Sequence, residues 1–105
     1  KVNPAAPCCC VHRYLNDLYT LELKNLPNLY QWEVPHTYGS PPTQRESHTA
    51  ISYTPQNGSG PNLLIYGGMS GYRLGDIWIL NTSTMTWNRV ETYGLYISSH
   101  SILIF

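Results

Sequence analysis

The amino-acid sequence predicts an all-β protein, a fragment of a β-propeller with antiparallel four-stranded blades: one complete blade plus parts of two neighbours. Three observations predict it. The chain repeats itself, the spans between repeated residues read as short strands, and no segment carries a sustained helical period. Asp17-Leu18-Tyr19-Thr20-Leu21 aligns with Asp76-Ile77-Trp78-Ile79-Leu80, Trp32 with Trp87, and His48 with His100, at separations of 59, 55 and 52 residues. The separations drift in one direction, which places the anchors in strands and the length changes in loops. A period of about 50 residues suits one blade per repeat.

Residues 1–12 read as an irregular leader or loop. They contain all three cysteines, Cys8-Cys9-Cys10, a spacing that suits neither a disulfide framework nor paired CxxC zinc knuckles. Neighbouring cysteines bridge only with strain, so reduced thiols in a reducing compartment are expected. Residues 13–35 read as the outer strands of a first blade, anchored by Asp17, Tyr19 and Trp32. Residues 36–90 read as an inter-blade loop, stiffened by Pro41 and Pro42, followed by the complete blade. Its strands are expected from His48 to Tyr53, Leu63 to Tyr66, Asp76 to Leu80 and Thr86 to Val90, all rich in Ile, Leu, Tyr, Trp and Thr. The links between them are the Gly, Pro, Asn and Ser clusters from Pro55 to Pro61, Gly67 to Gly71 and Asn81 to Ser83. Residues 91–105 read as the start of a third, atypical repeat. There Gly94 and His100 are six residues apart, whereas Gly39 and His48 are nine apart with Pro41, Pro42 and Arg45 between them.

Each blade of a propeller packs face to face against its neighbours, so both faces are apolar and strict alternation is blurred. Leu63-Leu64-Ile65-Tyr66 fits that pattern. The pair Gly67-Gly68 is expected to turn through positive φ and to admit a neighbouring chain where a side chain would clash. Tyr19, Trp32, Trp78 and Trp87 recur at matching points and are expected to pack between blades.

Composition excludes several functions. With 42% hydrophobic and 12% aromatic residues the chain is globular rather than disordered. Six Lys plus Arg balance six Asp plus Glu, leaving no basic stripe, so no direct nucleic-acid partner is expected. No apolar run reaches the length of a membrane span, and Lys1 to Cys10 lacks the features of a secretory signal, so no membrane partner is expected either. Two N-x-S sequons, at Asn57 and Asn81, would suit a secreted chain rather than a reducing compartment, but such tripeptides are common by chance and are discounted. Ligand spacing is missing among His12, His36, His100 and the cysteines, so neither metal nor cofactor is expected. Glu46 and His48 can share a strand face but Ser47 and Thr49 cannot join them, which argues against a catalytic triad and against an enzyme.

The doublet Gly67-Gly68, Asp76, Trp78 and Trp87 stand in the order of the kelch signature, echoed by Asp17, Tyr19 and Trp32. The segments 13–19 (RYLNDLY), 45–50 (RESHTA), 65–71 (IYGGMSG) and 73–76 (RLGD) closely resemble the kelch domain of the host cell factor family, and the resemblance covers about residues 13–94. It implies a nuclear protein, with the cytoplasm as a second location. The implied function is to dock short acidic or aromatic motifs of transcription factors and link them to chromatin-modifying complexes. Topology places Ser70 to Gly75 and Thr37 to Arg45 on one side of the disc, so Ser70, Tyr72, Arg73 and Arg45 are the candidate partner-binding residues. Arg73 and Arg45 would offer guanidinium forks and Tyr72 an apolar platform. Arg45 has a second possible duty, hydrogen-bonding to blade carbonyls. Other readings are a kelch substrate adaptor of a ubiquitin ligase, a copper oxidase, which would need cysteine within the repeats, and a truncated product without independent function.

Overall fold

The computed structural model describes residues 13–23 and 30–93. Six strands form: β1 (Thr20–Leu21), β2 (Trp32–Glu33), β3 (Thr49–Tyr53), β4 (Asn62–Met69), β5 (Arg73–Asn81) and β6 (Thr86–Val90). They make two antiparallel sheets, the pair β1-β2 and the four-stranded meander β3-β4-β5-β6. Among the described residues there is no helix. Cys8, Cys9, Cys10, Gly94 and His100 lie outside the described residues, as do the leader 1–12 and most of the third repeat.

Strand alternation sorts the meander into two faces. Ala50, Ile65, Trp78 and Arg89 form one row across it, and Ser52, Leu63, Leu80 and Trp87 form another on the same face. That face meets Leu15, Leu18 and Pro42 of the preceding segments across a small apolar gap. Leu80 and Trp87 are buried there. The opposite face carries Ile51, Leu64 and Ile79 in one row and Tyr66, Ile77 and Val90 in the next. Both faces are therefore apolar, as a sheet stacked between two others requires.

Two details differ from the sequence expectation. First, β4 runs through Gly67 and Gly68 to Met69, and β5 begins at Arg73, so the link is confined to residues 70–72 rather than beginning at Gly67. The reason is a β-bulge: the β4-β5 register shifts between Tyr66 and Gly68, where Gly67, at φ +63, faces both Gly75 and Asp76, so the extra residue lies on β5. The ladder resumes beyond it. Second, Tyr19 and Trp32 are exposed, whereas Trp87 is buried and Trp78 half-buried. Strands β1 and β2 are two residues each, and no further strand of their sheet lies among the described residues to cover these rings.

The chain that leaves β2 crosses to the outer edge of the meander. Tyr38 forms a parallel bridge to Thr86, its N–H donating to Met85 O at 2.8 Å while Trp87 N–H donates to Tyr38 O at 2.9 Å. Gly39 lets the crossing lie flat, because it sits at φ +76 and a Cβ there would come within 2.7 Å of Trp87 O. Further along, Arg45 N–H donates to Leu15 O at 3.0 Å, tying the entrance of the meander to the segment before β1.

Candidate protein-docking site

The signature residues converge on one buried ion pair. The Arg45 side chain is 3% exposed, and all five of its N–H donors are engaged. Nη1 donates to Asp76 Oδ1 at 2.7 Å and Nη2 to Asp76 Oδ2 at 2.9 Å, a two-pronged pairing. Nη1 also donates to Gly67 O at 2.9 Å, while Nε and Nη2 donate to Thr43 O and Thr43 Oγ1. The bulge explains the Gly67 contact, because Gly67, facing the bulge of β5, has no partner in the ladder register and its carbonyl is available to the guanidinium. Trp78 Nε1–H completes the cluster by donating to Asp76 Oδ2 at 2.6 Å. Gly68 lets the innermost chain close over it, since a Cβ there would lie 2.6 Å from Glu46 O.

Of the two duties expected of Arg45, the structure therefore has the carbonyl-binding one. Arg45 is corrected from a docking fork to an internal strut: no donor remains to meet a peptide. The arginine and its sequence neighbours could not distinguish these duties, because its partner Asp76 is 31 residues away.

Asp76 responds to this setting. Hydrogen bonds from Arg45 hold its carboxyl below the ordinary carboxylate value, opposed by burial and aided by the Trp78 N–H and the Arg45 charge. A carboxyl depressed in the folded state stabilises the fold fully above its unfolded pKa and loses that contribution as pH falls through the folded one. The stability gap between the chain and Asp76→Asn should thus be constant at neutral pH and shrink below about pH 4. Thermal melts at stepped pH check this, and a gap that persists unchanged into acid would dissociate Asp76 from the effect.

Above the ion pair lies an open hollow of about 550 Å³, walled by Thr43, Tyr72, Arg73, Trp78, Arg89 and Glu91. The short link between β4 and β5 delivers Tyr72, which is 67% exposed, and Arg73 to its rim. Ser70 stands apart from the hollow; its N–H donates to Tyr72 O at 3.0 Å and so closes the link. Arg89 was not among the expected site residues. It lies directly opposite Trp78 across β5 and β6, and that register was the only signal that could have found it. A second rim cation thus replaces Arg45. No group of three or more His, Cys, Asp or Glu placed to hold a metal occurs among the described residues.

Comparisons with known proteins bear on the same residues. The model of the KLHDC2/KLHL20/DRC7 Kelch-repeats domain matches residues 8–104. Host cell factor 1 of Homo sapiens is 51% identical over 85 residues, which are 81% of this chain and 4% of that protein. Host cell factor of Drosophila melanogaster is 51% identical over 85 residues, 80% of this chain and 6% of that protein. Host cell factor 2 of Homo sapiens is 45% identical over 84 residues, 80% of this chain and 11% of that protein. The chain thus spans a small part of the length of these relatives. No solved structure matches it.

Proposed function

Because the chain belongs to the kelch-repeat family, in the company of the host cell factors, we propose that it is a non-catalytic protein-interaction module of a transcriptional coregulator. It docks short linear motifs of transcription factors in the nucleus and so links them to chromatin-modifying complexes. In this reading residues 36–90 supply the complete blade and its inter-blade loop, residues 13–35 the outer strands of the blade before it, and residues 91–105 the beginning of the next.

One observation carries the proposal: Tyr72 and Arg73 stand at the rim of a hollow that also holds Arg89. Two guanidinium groups beside an exposed aromatic ring suit a peptide with a carboxylate and an aromatic side chain, the first meeting the forks and the second stacking on Tyr72. Ser70 acts by shaping the link that presents them. Replacing Arg73 with alanine in the complete propeller should weaken such a peptide by roughly tenfold or more, as expected for a lost charge-assisted hydrogen bond. Fluorescence anisotropy with a labelled acidic-aromatic peptide measures it. Unchanged affinity would remove Arg73 from the site, and unchanged affinity for Arg73→Ala, Tyr72→Ala and Arg89→Ala alike would remove the hollow.

A further inference from the structure

The link between β3 and β4, at the end of the blade away from the hollow, has chemistry of its own. Asn57 is the only asparagine of the chain followed by glycine. Both Asn57 and Gly58 are exposed, and Gly58 holds φ +74 with nothing within 4 Å of the position a Cβ would take. The Gly58 nitrogen therefore lies in an exposed and uncrowded turn. That nitrogen donates to Pro55 O at 3.3 Å, a long and weak hydrogen bond. The Asn57 amide is folded back over the following residues, its Oδ1 accepting from Ser59 N–H at 3.1 Å. The bond withdraws electron density from Cγ and so exposes that carbon to a nucleophile.

We propose that Asn57 is a site of spontaneous deamidation. The Gly58 nitrogen loses its proton to solvent base and attacks Asn57 Cγ. The new N–C bond closes a five-membered succinimide as the Cγ–Nδ2 bond breaks, and the side-chain nitrogen leaves with solvent protons as ammonia. Water then opens the imide at either carbonyl, leaving aspartate or isoaspartate, with no change of oxidation state. Asn62, Asn81 and Asn88 are strand residues followed by Leu63, Thr82 and Arg89, so their following nitrogens are held in or beside the ladder and flanked by side chains. Isoaspartate at 57 inserts an extra carbon into the main chain just before Gly58, one residue from Ser59, whose carbonyl accepts from Ser83 Oγ at 3.3 Å, so the product also loosens the contact between the two links at this end.

The test is incubation of the full chain at mildly alkaline pH in oxygen-18 water, with and without urea, followed by peptide mapping. An isoaspartyl carboxyl methyltransferase with labelled S-adenosylmethionine is the probe for the isomerised product. Label should enter at residue 57 in native buffer at least as fast as in urea, and ahead of every other asparagine. Gly58→Ala and Asn57→Gln should each abolish it at that position. Slower labelling in native buffer than in urea, or labelling spread evenly over the asparagines, would overturn the proposal. The eight residues of β4 separate this link from Tyr72 and Arg73 by on the order of 25 Å, so the outcome is independent of peptide binding.

Discussion

Replacing Arg45 with alanine is expected to cost the meander about 3 kcal/mol, the usual scale for removing one partner of a buried charge pair. The loss is large because the guanidinium serves three elements at once: the Asp76 carboxylate on β5, the bulge carbonyl of Gly67 on β4, and Thr43 on the crossing chain. Without it Asp76 retains the Trp78 N–H and a backbone N–H but no opposite charge, and the Gly67 carbonyl loses its donor. Lysine should recover little, since a single ammonium cannot span a carboxylate and two further acceptors in one plane. Urea titration followed by far-ultraviolet circular dichroism should show the midpoint falling by roughly 2 M for a protein of this size. Removing both charges together, as Arg45→Met with Asp76→Leu, should be less damaging than either alone, because no unpaired charge is then left inside. A double variant as unstable as the sum of the singles would mean that the residues act through shape rather than through their pairing.

A comparable loss, on the order of 3 kcal/mol, is expected from Gly68→Ala, by a wholly different route. The residue holds φ +100, and the new methyl would meet Glu46 O at 2.6 Å and His48 Cβ at 3.1 Å. The first of these is backbone and cannot swing aside. Moving it breaks the reciprocal pair in which Glu46 N–H donates to Met69 O and Met69 N–H to Glu46 O, at 3.0 and 2.9 Å. Gly71→Ala is the matched control, since Gly71 has φ +76 but open space around it, and only the conformational cost of about 1 kcal/mol should remain. Equal destabilisation of the two would show that close approach of the innermost chain is not what requires glycine at 68.

The meander was legible because its signals are local: runs of Ile, Leu, Tyr and Trp between turn clusters define β3 and β6 nearly to the residue, whereas β5 begins three residues before the expected Asp76. The end of β4 was not, because a glycine pair reads as a turn whenever the partner strand is unknown, and only the register shows that the ladder runs on past Gly67 through a bulge. The same limit applied to Arg45. Its neighbours in sequence gave two possible duties, and the choice was made by a carboxylate brought over by the meander. Tyr72 and Arg73 could be placed at a tip from topology alone, whereas Arg89 could not, since an arginine on the outer strand looks like any solvated charge until Trp78 is seen across from it. Exposure of Tyr19 and Trp32 lay beyond a pattern argument, which assigns a face but not what lies over it.

The attachment of Tyr38 and Gly39 to β6 separates two boundaries that a repeat protein is usually assumed to share. Counted by sequence, a unit closes at its tryptophan strand and the next opens after the proline pair. Counted by hydrogen bonds, the thread leaving one unit is the outer strap of its successor, so each unit borrows its hem from the residues before it. Coupling between neighbours in such an array is then carried by main-chain bonds at the rim as well as by side chains in the wedge. A cut made at the proline pair would remove the strap from the blade that follows while leaving its four strands intact in sequence.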